Sequence, residues 1–183
     1  MVSAGFTPQC FSAFPTRMAR IGGVPKEALL SRLQGAGVLL NDAAQALFAD
    51  ARFTTSPVSS LVEIVQVSVA ALGYPDGATF VQVVERAATN GFLLCPLELG
   101  PHLRLQFTVQ PEGSLGQPAS KHCAPPGSLT VASAPLAEDD ETPKGFYLRR
   151  IEGDLWLRGY LSWPGHNWSP QDVFVFVRRH NVA

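Results

Sequence analysis

The chain has 183 residues, of which 46% are hydrophobic and 16% charged, so it carries enough apolar material for the core of a single domain. Its formal net charge of −1 excludes attraction of polyanions or anionic lipid by the field of the whole molecule, so any such binding has to be local. The three cysteines, Cys10, Cys95 and Cys123, form no C-x-x-C pair and indicate neither a disulfide framework nor a four-ligand zinc site.

No segment approaches the roughly 20 apolar residues of a membrane span, and the N-terminus has no apolar run after a basic start. We therefore predict a soluble, cytoplasmic protein that needs no membrane, metal or cofactor. Arginine outnumbers lysine eleven to three. This excess reflects either a GC-rich bacterial genome or a need for bidentate anion contacts.

The first part of the chain reads as a flexible arm over residues 1–22, followed by a single α+β domain over residues 23–183. The helical part of that domain is predicted for residues 23–91. Pro25 suits the first turn of a helix that stops at Gly35, and Asn41 can cap a second helix.

Two capping signals predict two more helices. Ser60 with Glu63 matches a capping box, and the apolar stripe that follows ends at Gly73, although its many valines leave a strand open. Thr79 with Gln82 repeats the pattern for a helix that ends near Asn90.

From Phe92 the hydrophobic period changes from about 3.6 towards 2, which predicts a β-rich part over residues 92–183. We predict helices packed on one side of a mostly antiparallel sheet of five or six strands. Residues 110–127 read as a surface loop, and the acidic run 138–141 as a solvated one. The predicted strands are Phe92–Cys95, Leu103–Val109, Leu129–Ala132, Phe146–Ile151, Leu155–Leu161 and Val173–Arg178.

Residues 145–163 read GFYLRRIEGDLWLRGYLSW and predict a β-hairpin with a two-residue turn at Gly153-Asp154. This register sets Arg149 opposite Arg158, and it gives one chiefly aliphatic face and one aromatic and basic face. The predicted ligand-binding residues all lie on the second face: Tyr147, Arg149, Trp156, Arg158 and Tyr160. A three-residue loop would shift the pairing by one and break up this face.

Two arginines directly across an antiparallel pair repel each other unless something lies between them. One interpretation is an anion, bound on a surface where planar groups stack as on sheet-based single-strand binders. The other is a carboxylate within the protein, with the arginine stems covering the tyrosine rings. The candidate carboxylates are Glu98, Glu152 and those of residues 138–141.

The sequence lacks the signature motifs of several enzyme classes. No Gly-Lys dipeptide occurs, no G-x-G-x-x-G follows a predicted strand, and neither G-x-S-x-G nor H-E-x-x-H is present. What remains is Glu98, His102 and Arg104, a group that could cleave RNA by general acid–base catalysis or could serve the structure. Gly100-Pro101 argues against a helix that carries Glu98 and His102 on one face.

Two further segments contain side chains that could form a site. His122-Cys123 is a weak nucleophile pair, because sequence neighbours usually diverge in space. The segment WPGHNW, with Trp163, His166 and Trp168, reads either as an aromatic ligand lip or as a plug that closes one end of the sheet.

Four segments resemble an uncharacterised family of bacterial proteins, some members of which are labelled "helicase". They read NGFLLCPLELGPHLRLQF, PPGSLTVASAPL, ETPKGFYLRRIEGDLWLRGY and WSPQDVFVFV, and the resemblance covers about residues 58–178. Since the phosphate-binding loop is missing, the resemblance implies at most an accessory role with nucleic acid.

Together these features predict a non-catalytic binding module that recognises an anionic ligand, single-stranded nucleic acid or an acidic protein partner through the hairpin. The alternative is a small metal-independent ribonuclease or toxin-like enzyme that uses Glu98, His102 and Arg104.

Overall fold

The structure is a computed structural model that describes residues 14–113 and 124–179. Within these ranges the chain forms four helices and ten strands. The helices are α1 (Lys26–Gly35), α2 (Asp42–Ala49), α3 (Phe80–Thr89) and α4 (Leu99–Gln106). The strands are β1 (Thr16–Ile21), β2 (Leu39–Leu40), β3 (Ser60–Ser68), β4 (Ala78–Thr79), β5 (Phe92–Leu93), β6 (Leu129–Val131), β7 (Gly145–Ile151), β8 (Asp154–Tyr160), β9 (Asn167–Trp168) and β10 (Val173–Arg178).

Eight of the strands form one sheet in the order β1-β3-β10-β6-β7-β8-β2, with β5 paired to the end of β10. The pairings of β10 with β6 and of β2 with β8 are parallel, and the others are antiparallel. The predicted α+β class is confirmed. The predicted sheet of five or six mostly antiparallel strands is wrong, because the sheet is larger and mixed.

The sheet separates two hydrophobic clusters, so helices lie on both of its faces and not on one side as predicted. Residues of α1, α2 and α4 pack on the first face, and α3 with β9 packs on the second. Strand β10 serves both clusters, since Val175 points to the first while Phe174 and Phe176 point to the second. Its unbroken apolar run is therefore buried on both sides.

The predicted third helix is wrong, because Ser60–Ser68 form β3, a strand paired on both edges. Four of its nine residues are β-branched, which favours extended backbone over helix. Ile64 and Val65 are both fully buried and face opposite clusters. The Ser60 and Glu63 spacing that imitates a capping box is thus overridden by pairing with β1 and β10.

Residues 16–21 of the predicted arm form β1, an edge strand, while residues 1–13 of that arm lie outside the described residues. Helix α4 holds the outer edge of this strand through side chains. The Gln106 amide accepts from the N–H of Arg20 at 2.9 Å and donates to the Arg20 carbonyl at 2.8 Å. His102 Nε2 accepts from the N–H of Gly22 at 3.1 Å. Helix α4 therefore pairs with backbone groups at the outer edge of β1, as a further strand would.

The predicted strand Leu103–Val109 is also wrong, because most of it belongs to α4. Pro101 is the third residue of this helix, a position whose N–H has no partner inside the helix, so a proline there costs no hydrogen bond. Leu99 and Leu103 lie one turn apart and are both buried.

The predicted caps of α2 and α3 are confirmed. Asn41 accepts from the N–H of Ala44, and its amide also bonds both backbone groups of Gly159 in β8 at 2.8 and 3.0 Å. Thr79 and Gln82 form the complete capping box of α3. Neither helix, nor any other among residues 14–113 and 124–179, has the length and apolar character to cross a bilayer.

Candidate functional site

The β7–β8 hairpin places all five predicted ligand-binding residues on one face. Alternation along the paired strands puts Tyr147, Arg149, Trp156, Arg158 and Tyr160 together, and we call this set the outer face. On the other side Phe146, Leu148 and Leu157 are fully buried beneath the helices. The predicted division into an aliphatic face and an aromatic, basic face is thus confirmed.

The predicted register within the hairpin is wrong by two residues. The turn is formed by Glu152 and Gly153, with φ angles of +53° and +86°, and not by Gly153-Asp154. Positive φ at both central residues is the type I′ turn, whose twist matches that of the strands. Arg149 therefore lies opposite Trp156, and Arg158 lies opposite Tyr147.

In the observed register the predicted arginine pair is absent. Each of the two arginines lies directly opposite an aromatic residue of the other strand. The guanidinium carbon of Arg158 lies 5.0 Å from the centre of the Trp156 ring, within the range of a cation–π contact. The two arginines are diagonal neighbours, a relation in which side chains lie about 7–8 Å apart. The two arginines therefore do not form the directly opposed, repelling pair that was predicted.

Arg149 and Arg158 are half-buried, and within residues 14–113 and 124–179 neither guanidinium forms a salt bridge or hydrogen bond. The third arginine of the hairpin, Arg150, lies 3.9 Å from the Glu112 carboxylate. Of the candidate carboxylates, Glu98 accepts from the backbone of Ser56. In the described part of the chain the outer face thus carries two positive charges that no carboxylate neutralises.

The loop of residues 107–113 borders the outer face. The Gly113 N–H donates to the carbonyl of Arg150, and a Cβ on Gly113 would lie 3.4 Å from Arg149 Nε. Most of the segment that follows, including the weak nucleophile pair His122-Cys123, lies outside the described residues. Arg149 therefore sits where β7 meets this loop.

Tyr160 lies at the end of the outer face and turns towards Trp168 of β9. Its ring meets that of Trp168 edge-on at 5.6 Å, and burial raises the pKa of its hydroxyl. Tyr160 therefore stays uncharged and is part of the second hydrophobic cluster. None of the other four residues of the outer face belongs to either hydrophobic cluster.

The structure brings Glu98, the residue just before α4, together with His102 of α4, contrary to the prediction that Gly100-Pro101 prevents this. Their Oε2 and Nε2 atoms lie 3.7 Å apart, while Arg104 follows His102 by two residues and projects from another side of the helix. All three side chains are buried, with exposed fractions of 5%, 7% and 0%. The predicted catalytic group is therefore not assembled around a common point.

Burial sets the protonation of this pair. It raises the pKa of Glu98 and lowers that of His102, and Arg32 lowers the His102 pKa further. A neutral imidazole fits the contact, because Nε2 accepts from Gly22 and so carries no proton. Glu98 and His102 thus tie α4 to the loop before β3 and to the end of β1.

Arg104 has no exposed surface and is held by uncharged acceptors. It donates to Gln110 Oε1 at 2.7 Å and to the carbonyl of Phe107, and Gln110 in turn donates to the carbonyl of Leu148. Burial, with Arg150 nearby, lowers the pKa of Arg104 to about 10, so it stays charged at neutral pH. Its role is to join the loop after α4 to β7.

One other reactive group, the thiol of Cys95, serves the core. Cys95 is buried and donates to the carbonyl of Val175 at 3.2 Å, and burial raises the pKa of its thiol, so it is not a reactive thiolate. No group of three or more candidate metal ligands occurs within the described ranges.

A pocket that the sequence did not reveal lies between β8, β9 and the start of α3. Its volume is about 150 Å³, and Tyr160, Trp163 and Trp168 line it. Trp168 is buried against Phe174, as expected for a plug, while Trp163 is 45% exposed at the pocket, and the interpretation of WPGHNW as a ligand lip stays a prediction. The signal in the sequence was this cluster of aromatic residues.

The chain matches no protein-family model, no curated protein and no solved structure. The resemblance to an uncharacterised bacterial family therefore stays a prediction.

Proposed function

We propose that the protein is a non-catalytic binding module that holds single-stranded nucleic acid on the outer face of the β7–β8 hairpin. The observation that carries the proposal is that Arg149 and Arg158 have no carboxylate partner in the described part of the chain and lie among aromatic rings. A half-buried charge without a partner favours an anionic ligand, because the ligand supplies the missing acceptor.

The alternation of rings and charges favours nucleic acid over an acidic protein. A single strand offers bases that stack on Tyr147 and Trp156 and phosphates that pair with the arginines, and stacking contributes about 1–3 kcal/mol per base. Trp156 and Arg158 are two positions apart along β8, a distance of about 6.7 Å. A carboxylate-rich peptide would engage the guanidinium groups but leave the flat faces of the rings unused.

The alternative enzyme has weaker support. Glu98 and His102 are occupied by backbone donors from Ser56 and Gly22, and Arg104 is fully buried among carbonyls. A general acid or base has to reach the proton that it moves, and these side chains face the interior. The outer face, in contrast, combines partial exposure with unpaired charge.

The experiment measures binding of a fluorescent single-stranded oligothymidylate by anisotropy. Replacing Arg149 and Arg158 together by alanine is expected to weaken binding by about tenfold or more, because two charge-assisted contacts are lost. In the matched control, Arg32 and Arg86 are replaced by alanine. This control changes the net charge by the same amount, but its two residues lie on α1 and α3.

The control variant is expected to bind as the wild type does, within about twofold. Equal loss in both double variants would show that only general charge matters. Binding of polyglutamate but not of the oligonucleotide would point to an acidic protein partner. Either result would overturn the proposal, provided that thermal unfolding shows both variants to be folded.

A further inference from the structure

The pocket at the end of the β7–β8 hairpin is separate from the four residues proposed to bind nucleic acid. Its walls come from distant parts of the chain: Phe80 begins α3, Tyr160 ends β8, and Trp163 and Trp168 belong to the segment before β10. A space of about 150 Å³ holds a guest the size of benzene. The pocket therefore has the size and the aromatic lining for one flat ring.

Two residues of the lining each carry a buried polar group that has no hydrogen-bond partner within residues 14–113 and 124–179. These groups are the hydroxyl of Ser133, a residue 1% exposed, and the indole N–H of Trp168, a residue 5% exposed. A buried donor without an acceptor costs about 1–3 kcal/mol, so such a group in a folded protein usually bonds an ordered water or a ligand. Both groups can donate, and hence both favour an acceptor on the ligand.

Glycine at position 145 leaves room for the side chains of Ser133 and Tyr160, two residues of the lining. A Cβ there would lie 2.9 Å from Ser133 Oγ and 3.4 Å from the Tyr160 ring. Gly145 is paired directly opposite Tyr160 in the sheet. Any larger residue at position 145 would thus fill the space next to the Ser133 hydroxyl.

The charged residues of the lining do not select a charged guest. The lining holds one cation, Lys144, and one carboxylate, Glu138. Lys144 is already engaged, since its ammonium group donates to the carbonyl of Ala137 at 3.0 Å and to that of Asp139. With one charge of each sign, the electrostatics fit an uncharged molecule.

We propose that this pocket binds a small, uncharged, single-ring aromatic molecule that accepts hydrogen bonds at one edge, as an aromatic amide does. The ring packs among Tyr160, Trp163 and Trp168, and the acceptor meets the Ser133 hydroxyl and the Trp168 indole. This site requires neither Arg149 nor Arg158, so it does not depend on the function proposed for the outer face.

The test uses benzamide as the probe and the indole N–H signals of the three tryptophans in proton–nitrogen NMR spectra as the readout. The Trp168 signal is expected to shift in a saturable way while the Trp156 signal, on the outer face, stays in place. Toluene is the matched probe, because it has a similar shape and no acceptor, and it is expected to bind more weakly.

Replacing Ser133 by alanine is expected to weaken benzamide binding about fivefold, which corresponds to one hydrogen bond, and to leave toluene binding unchanged. Ser128→Ala is the control, since Ser128 is a buried serine that directly precedes β6 and lies outside the pocket. Because the Ser133 hydroxyl has no partner in the described part of the protein, Ser133→Ala should unfold at or above the wild-type temperature.

Three results would overturn the proposal: no saturable shift of the Trp168 signal, equal benzamide affinity of Ser133→Ala and wild type, or a shift confined to Trp156. The last result would place the probe on the outer face and would leave the nucleic-acid proposal intact. Loss of oligonucleotide binding in the arginine variant, with benzamide binding kept, would separate the two sites.

Discussion

Three arginines of β7 and β8 differ in what surrounds their charges. Arg150 lies close to the carboxylate of Glu112, whereas Arg149 and Arg158 face aromatic rings and have no acidic partner among the described residues. The alternation of the strand produces this difference, because Arg149 and Arg150 project to opposite sides of the sheet. Neighbouring arginines therefore have different surroundings, and a count of arginines alone does not indicate function.

Asp172 gives a prediction on pH. Its carboxylate is buried, accepts from the backbone of Ser169 and Ala124, and has its pKa raised by burial to about 6. In the unfolded chain the same group loses its proton near its ordinary value of 3.8. The folded state therefore binds more protons between these values, and the Asp172 contribution to the free energy of unfolding falls as pH rises from about 4 to about 6.

The measurement is urea unfolding of the wild type and Asp172→Asn at several values of pH. The variant is expected to be less stable overall, because one acceptor oxygen is lost, and to lack this decline, which amounts to at most about 3 kcal/mol. Comparison with the variant is needed because His102, whose pKa is lowered, contributes the opposite slope below its ordinary value of 6.5. A stability difference that does not change with pH would contradict the account.

At the level of elements, the contact of α2 with β8 depends on a glycine. A Cβ on Gly159 would lie 2.6–2.8 Å from the backbone of Ala43 and Ala44. Gly159→Ala is expected to destabilise the protein by about 1–3 kcal/mol, because the first turn of α2 would have to move away from the sheet.

Gly35→Ala is the matched control, since no atom lies within 4 Å of the position of a Cβ there. This change at the end of α1 is expected to be neutral or to stabilise by up to about 1 kcal/mol. Chemical denaturation measures both effects. Equal stability of the two variants would show that α2 is not fixed by close approach to β8.

The elements also show which features the sequence could predict. Helices α1, α2 and α3 carry their own start and stop signals, such as Asn41 and the Thr79–Gln82 capping box, and these local signals sufficed. Strand β3 carries a false capping signal, and only its pairing with β1 and β10 decides its conformation. Helix α4 contains Pro101, a residue that argues against a helix unless it falls in the first turn.

The outer face was predictable for a simple geometric reason. The predicted and observed turns both have two residues, so the pairing differs by an even number and every side chain keeps its face. The cross-strand partners did change, which removed the predicted arginine pair. The pocket could not be predicted, because residues as distant as Phe80 and Trp168 form it only after the second face of the sheet is covered.

For the whole molecule, the net charge of −1 means that binding of a polyanion has to depend on local contacts, and this dependence can be measured. A protein without a strong overall field attracts a polyanion only through the groups that touch it. If Arg149 and Arg158 make those contacts, almost all of the salt dependence of binding should come from them.

The most direct test is therefore the slope of the logarithm of the oligothymidylate association constant against the logarithm of salt concentration. For single strands each neutralised phosphate contributes about 0.7 to that slope, so the Arg149→Ala, Arg158→Ala double variant should lose about 1.4 from its magnitude. The Arg32→Ala, Arg86→Ala control should keep the wild-type slope. An unchanged slope in the first variant would contradict the assignment of the outer face as the binding surface.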